Sequence, residues 1–157
     1  MNILTLSGST ACLSKAGLAE GTNSATIKIL APNGAGVDFT IHGVCYHKAD
    51  TDNIAVTAHA SQADLTTCLY LVQLDSAGTL STKKGKEVLT ASLAHLDSLQ
   101  WPLPDTDKCP IGGYKVKNAS GAVFTNGTTD FSASNVTVNY KDFALGMPDA
   151  PETATSS

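Results

Sequence analysis

The 157 residues of the chain, with a mass of 16.2 kDa, suffice for one domain with a hydrophobic core and are too few for two. Charged residues make up 15% of the chain, against about 25% in typical soluble domains, and Ala, Thr, Ser and Gly take their place. The net charge is −4 and the longest basic cluster is the short run from Lys83 to Lys86, which argues against nucleic acid as a partner, because phosphate contacts need a basic patch.

The N-terminal segment MNILTLSGSTACL lacks the basic region and the long apolar run of a signal peptide. No other stretch approaches the roughly 18 apolar residues that span a bilayer. The sequence therefore predicts a soluble protein that is made in the cytoplasm and has no membrane partner.

The two ends of the chain differ in composition from its middle. Residues 1–22 mix a short apolar segment with small residues and glycines and show no clear periodicity, which predicts an extended N-terminal arm. Such an arm is suited to reaching a neighbouring molecule, although a frayed terminus is the commoner case. Residues 147–157 consist mainly of Pro, Glu, Ala, Thr and Ser and predict a disordered tail. A single β domain is expected over residues 23–146.

The best-marked local structure is the stretch VDFTIHGVCYHK, residues 37–48, which follows a predicted strand at residues 25–30. Two alternating runs flank His42-Gly43, the pattern of a β-hairpin with a two-residue turn. The register pairs Ile41 with Val44, Phe39 with Tyr46, and Thr40 with Cys45. The expected core-facing residues are Phe39, Ile41, Val44 and Tyr46.

A second hairpin is predicted from the most apolar segment of the chain. Residues 50–53 are polar and turn-like, and residues 54–59 alternate, with Ile54, Val56 and Ala58 inward. Residues 65–74 should form a central strand buried on both faces. Asp75 to Gly78 then predicts a turn, and residues 79–83 return antiparallel.

The remaining segments predict mainly strands. Residues 86–99 are the one segment where a helix competes with a strand, because their leucines recur at helical spacing. The segment lacks a clean helix cap, so neither structure is favoured. Residues 101–104, WPLP, should be extended and outside any central strand. Strands are expected at 111–117, 122–125 and 136–140, with Gly112-Gly113 as a kink or bulge. Many short strands separated by turns predict an all-β fold, an antiparallel sandwich or barrel with one possible short helix.

The four cysteines, Cys12, Cys45, Cys68 and Cys109, include no close pair. Cys45 and His47 share a strand face, and Cys68 or His59 could complete a metal site, yet no recognised zinc spacing is present. We interpret the cysteines as free thiols in or near the core. If the mature protein works outside a cell, disulfides that form after assembly remain an alternative. We expect no metal and no cofactor.

No catalytic motif stands out. The segment from Leu6 to Thr10 lacks the first glycine of a nucleophile elbow, and Asp105 and Asp107 are interpreted as a solvated turn. The single tryptophan, Trp101, is either a sugar platform or an anchor in a core or an interface, and we favour the anchor. An enzyme is therefore not expected.

Four stretches carry a family resemblance: VDFTIHGVCYHKADTDNIAVTA, CLYLVQLDSAGTLSTKKG, CPIGGYKVKNASGAVFTNGTTDF and NVTVNYKDF. They resemble, over about residues 25–143, small structural proteins encoded with the head genes of tailed bacteriophages. His47 and Cys45 depart from that pattern.

The resemblance implies a virion protein on the capsid surface, made in the host cytoplasm, that decorates or cements the capsid or forms a short head fibre. Its partners would be the major capsid protein and further copies of itself, as a trimer or a dimer. The main alternative is a receptor-binding or carbohydrate-binding module of a fibre, and a small hydrolase is a third reading. The candidate residues for contact with capsid or sister subunits are Ile3, Leu4, Leu6, Leu13, Leu99, Trp101 and Leu103.

Overall fold

The computed structural model describes residues 9–94 and 99–144. This part of the chain contains eleven β-strands and one short 3₁₀ helix, Thr90–Ala94, and no helix in it is long and apolar enough to cross a membrane. The strands are β1 (Ala11–Cys12), β2 (Leu18–Glu20), β3 (Ile27–Ile29), β4 (Val37–Ile41), β5 (Val44–Lys48), β6 (Thr51–Ile54), β7 (Thr66–Leu74), β8 (Leu80–Lys84), β9 (Val88–Leu89), β10 (Cys109–Asn118) and β11 (Val136–Asp142).

The strands form three antiparallel sheets. The largest has the order β11-β10-β7-β8, with β9 also paired to β7, and the two smaller sheets have the orders β1-β4-β5 and β2-β3-β6. The fold is therefore all-β and sandwich-like, and it is not a closed barrel, which settles the alternative left open by the sequence.

One hydrophobic core lies between the largest sheet and the two smaller ones. Alternate residues of β7 and β10 face it, and their rings stack: the Tyr70 and Tyr114 centroids are 5.2 Å apart. Phe39 and Ile27 face them from the smaller sheets and are fully buried. The period of two along each strand places these residues on one face.

The β4–β5 hairpin forms with the predicted register, closed by His42 and Gly43, both at positive φ. Phe39 and Ile41 are buried, and Tyr46 stacks on Phe39 at 5.7 Å. The prediction for Val44 is wrong: its side chain is 54% exposed. Val44 is the residue of β5 next to the turn, and burial on this face of the strand begins only at Tyr46, two residues further from the turn.

The second hairpin is also confirmed. Every residue of β7 is buried, and Gly78 closes the following turn at a φ of 74°. The Gly112-Gly113 pair lies at a register shift between Pro110 and Gly112, which is the predicted bulge.

The predicted N-terminal arm is wrong for its second half, because the domain begins before residue 23. Strand β1 pairs with β4 and strand β2 pairs with β3. Two- and three-residue strands have no alternation of their own to detect, and their partners lie elsewhere in the chain. Residues 1–8 and the predicted tail lie outside the described residues.

Other element predictions need correction. The polar residues 50–53 mostly belong to β6, and residues 55–59 are not a strand, with Ala58 exposed and Val56 buried. Residues 122–125 contribute only an isolated bridge between Gln62 and Phe124. Where a helix is the alternative, residues 86–94 contain strand β9 and a short 3₁₀ helix and no α-helix. Residues 95–98 lie outside the described residues.

Candidate functional site

An extended segment crosses the outer face of the largest sheet, opposite the core. We call residues 99–107 the strap. A Cβ atom added to Gly113 on β10 would lie 2.3 Å from the Trp101 ring, and one added to Gly85 would lie 3.4 Å from Cδ of Pro102. The strap belongs to no strand, as its two prolines predict. Glycine at position 113 is therefore what lets the strap lie directly on the sheet.

Trp101 fixes the strap at one end. Its ring meets Phe143 edge to face, with centroids 5.1 Å apart and planes at 87°, a favourable aromatic geometry. Trp101 is 36% exposed, because one side of its ring contacts Gly113 of the sheet and the other side remains in solvent. Trp101 is thus an anchor within its own domain that still presents apolar surface.

Asp105 fixes the other end through the fully buried Gln73 of β7. Nε2 of Gln73 donates to Oδ2 of Asp105 at 2.6 Å, and the backbone N–H of Asp105 donates to Oε1 of Gln73 at 2.9 Å. Lys83 adds an ion pair at 2.8 Å and Lys108 a longer one at 3.6 Å. The bonds from Lys83 and Gln73 hold the pKa of the Asp105 carboxyl below its usual range.

The second carboxylate of the strap ties it to the first hairpin. Oδ1 of Asp107 lies 2.6 Å from Nε2 of His42 at the turn between β4 and β5. Both side chains are largely exposed, so the pair contributes little free energy and only marks where the strap end lies beside the hairpin turn. Asp105 and Asp107 are exposed and flank a turn, as the sequence predicts, and in addition their carboxylates pair with side chains of other elements.

The predicted contact residues are only partly brought together. Leu103, between the two prolines, is 82% exposed, Leu99 is half-buried, and Leu13 is exposed just after β1. Ile3, Leu4 and Leu6 lie outside the described residues.

A shallow pocket of about 220 Å³ lies between β1, the start of β10 and the residues that follow β11. Phe143 forms one of its walls and also packs on Trp101, so the pocket and the strap are neighbours. The pocket is lined by Thr10, Ala11, Cys12, Pro110, Phe143 and Ala144.

The cysteines fall into two classes. Burial raises the pKa of Cys12 and of Cys68 to about 11 and that of Cys109 to about 12, which makes these thiols poor nucleophiles. Cys45 is exposed on the outer side of β5, contrary to the prediction of a position in or near the core.

The candidate metal ligands do not converge. His47, which shares the strand face of Cys45, instead pairs with Asp38 across the hairpin at 2.7 Å. Within residues 9–94 and 99–144, no group of three or more His, Cys, Asp or Glu is placed to hold a metal ion.

Sequence reasoning missed the residues that hold the strap. Gln73 is the polar exception near the end of the run TTCLYLVQL, and that exception was the available signal, because a buried amide needs a partner. Gly113 and Phe143 gave no comparable signal, since their role depends on Trp101, which is remote from Phe143 in the chain.

We compared the chain with protein-family models, with curated proteins and with solved structures, and none of the three comparisons gave a match.

Proposed function

We propose that this chain is a virion structural protein that binds the capsid surface of a tailed bacteriophage and stabilises or decorates it. The observation that carries the proposal is the strap. It is stiffened by Pro102 and Pro104, fixed to the sheet at Trp101 and Asp105, and it presents Leu103 almost fully to solvent.

A segment held in this way is suited to binding a protein surface. Its backbone is already ordered by the contacts to Gln73 and Phe143, so little conformational entropy is lost when a partner covers it. The exposed side of Trp101 and the side chain of Leu103 offer apolar contact area, and tryptophan is enriched at the centre of protein interfaces. Each contact can be weak, because a capsid multiplies it over many symmetric copies.

The resemblance to phage head proteins supports the same conclusion from the sequence side. The resembling stretches correspond mainly to β4–β11 and the turns between them, which is framework and not a catalytic constellation. A rigid β domain with few charged residues fits a particle component that must survive outside a cell. We accordingly assign the chain no enzymatic activity and no cofactor, and we place it on the capsid surface.

The test uses capsids assembled from the major capsid protein encoded in the same phage genome, without this protein. Purified protein is expected to bind at saturable, symmetric sites and to raise the temperature at which the capsids break open. Replacement of Leu103 by Ser should weaken binding about tenfold or more, since it removes the exposed apolar side chain from the contact. Leu30→Ser is the matched control, because Leu30 is also exposed but lies at the end of β3 on a smaller sheet.

Two results would overturn the proposal. One is binding to bacterial cells or glycans without binding to capsids, which would favour the receptor- or carbohydrate-binding alternative, with the partly exposed Trp101 as its platform. The other is equal loss of capsid binding in the Leu103 and Leu30 variants, which would remove the strap as the contact.

A further inference from the structure

The two edges of the largest sheet are treated differently. Along β8, residues 57–60 cover the edge: Thr82 N–H donates to Oγ1 of Thr57 at 3.0 Å, and Nε2 of His59 donates to the Thr82 carbonyl at 3.0 Å. Nζ of Lys84 also donates to the carbonyl of Ala60 at 2.7 Å. At the opposite edge, β11 pairs with β10 and with no other strand in the described part of the chain. Open edges of this length are natural templates for a further strand.

The backbone direction of β11 follows from its two ends. Phe143 N–H donates to the Ile111 carbonyl at 3.0 Å, and the Asn135 carbonyl accepts from Ala119 N–H at 2.9 Å, so both residues bond toward β10. In an antiparallel strand, alternate residues bond to the same side. The odd-numbered residues of β11 therefore bond to β10. Val138, Tyr140 and Asp142 direct their N–H and C=O groups away from the sheet.

We propose that β11 pairs with β11 of a second copy of this chain, antiparallel and centred on Asn139, so that two sheets join into one across a two-fold axis. This inference does not depend on the proposed function. The centre at residue 139 lets the seven residues of the strand overlap completely. The resulting pairs are Val136 with Asp142, Thr137 with Lys141, Val138 with Tyr140, and Asn139 with itself.

The side chains of β11 suit this self-pairing. No like charges meet, because Lys141 faces Thr137 and Asp142 faces Val136. On the inner face, the half-buried Val138 would be covered by Tyr140 of the second copy, and Tyr140 by Val138 of the second copy. At the two-fold axis, the two Asn139 carboxamides can each donate and accept one hydrogen bond.

The symmetry of the contact decides the oligomeric state. An interface that uses the same strand on both sides is isologous and closes after two copies. It therefore gives a dimer and not a trimer, and it leaves both straps available to bind elsewhere.

The test measures the dissociation constant of the full chain by sedimentation equilibrium at low ionic strength, without capsids. Two carboxylate variants serve as a matched pair. Residues 137 and 139 lie on the same face of β11, and their β10 partners are Lys117 and Lys115, so either carboxylate has a lysine neighbour in the monomer. Only the dimer distinguishes them. Asn139→Asp places two carboxylates face to face, whereas Thr137→Asp faces Lys141 of the second copy.

The expected wild-type result is a reversible monomer–dimer equilibrium below about 1 mM protein. Asn139→Asp should raise the dissociation constant by about threefold or more, and Thr137→Asp should lower it by about as much. High salt should remove both differences. A chain that stays monomeric throughout, a trimeric mass, or equal effects of the two substitutions would overturn the inference. Capsid binding by a strictly monomeric chain would overturn the inference and leave the proposed function standing.

Discussion

Replacing Gln73 by Ala should release the Asp105 end of the strap from the sheet and loosen the packing of the whole segment. Gln73 is fully buried and makes two hydrogen bonds to Asp105, one to the carboxylate and one from the backbone N–H. A hydrogen bond to a charged group contributes about 1.5 kcal/mol or more, and a neutral one about 1 kcal/mol. Asp105 is partly exposed and can regain water, which reduces the sum, while the lost methylene contact adds about 0.8 kcal/mol. The free energy of unfolding should fall by about 2 to 3 kcal/mol.

The assay uses the single tryptophan of the chain, because Trp101 lies in the strap itself. In Gln73→Ala, its fluorescence should shift to longer wavelength and become more accessible to a neutral quencher before the β-sheet unfolds. Urea denaturation followed by circular dichroism measures the accompanying stability loss. Gln100→Ala is the control, since Gln100 is an exposed residue of the same strap. An unchanged tryptophan signal together with a stability loss below about 0.5 kcal/mol would refute the role of Gln73.

Three further outcomes are expected. Gly113→Ala should destabilise the fold by about 2 kcal/mol or more and expose Trp101, because the new methyl group meets the Trp101 ring and the Tyr70 carbonyl. The control Gly121→Ala lies at an open turn and should cost about 1 kcal/mol, and urea denaturation of the two variants compares their free energies of unfolding. The pKa of Asp105 is lowered in the folded protein, so its carboxylate stabilises the fold above about pH 4, and this stabilisation is lost as the pH falls through the folded-state pKa. In Asp105→Asn, the free energy of unfolding, measured by denaturation at neutral and at acid pH, should therefore depend less on pH than in the wild type, by less than ~1 kcal/mol. A water-soluble thiol reagent should modify only Cys45 in the folded protein and the other three cysteines only in denaturant; rapid reaction of a second thiol would contradict the burial.

The hairpins could be predicted because their causes are local. A two-residue turn with glycine, flanked by alternating residues, determines its own register, as it does for Phe39 and Tyr46. The burial of β7 could likewise be predicted, because most residues of this strand are apolar. Strands β1 and β2 could not be found in this way, because two or three residues gain strand geometry only from distant partners such as β4.

The candidate site was harder to predict than the fold. The prolines beside Trp101 indicate an extended segment, but they do not say which surface it covers. That surface depends on Gln73, on the missing side chain of Gly113 and on Phe143, which come together only after the sheet has formed. The exposure of Val44 is a similar case, since alternation assigns a face to a residue and does not tell where the core ends.

The strap also gives the molecule two levels of stability. Strand β7 is covered by the core on one face and by the strap on the other, so its amide protons should exchange with solvent only through global unfolding. The strap has no strand ladder and is held by a few side-chain contacts, so it can open locally while the sheet stays intact. Local opening of the strap would therefore change how Trp101 and Leu103 are presented to solvent without any change in the sheet that carries them.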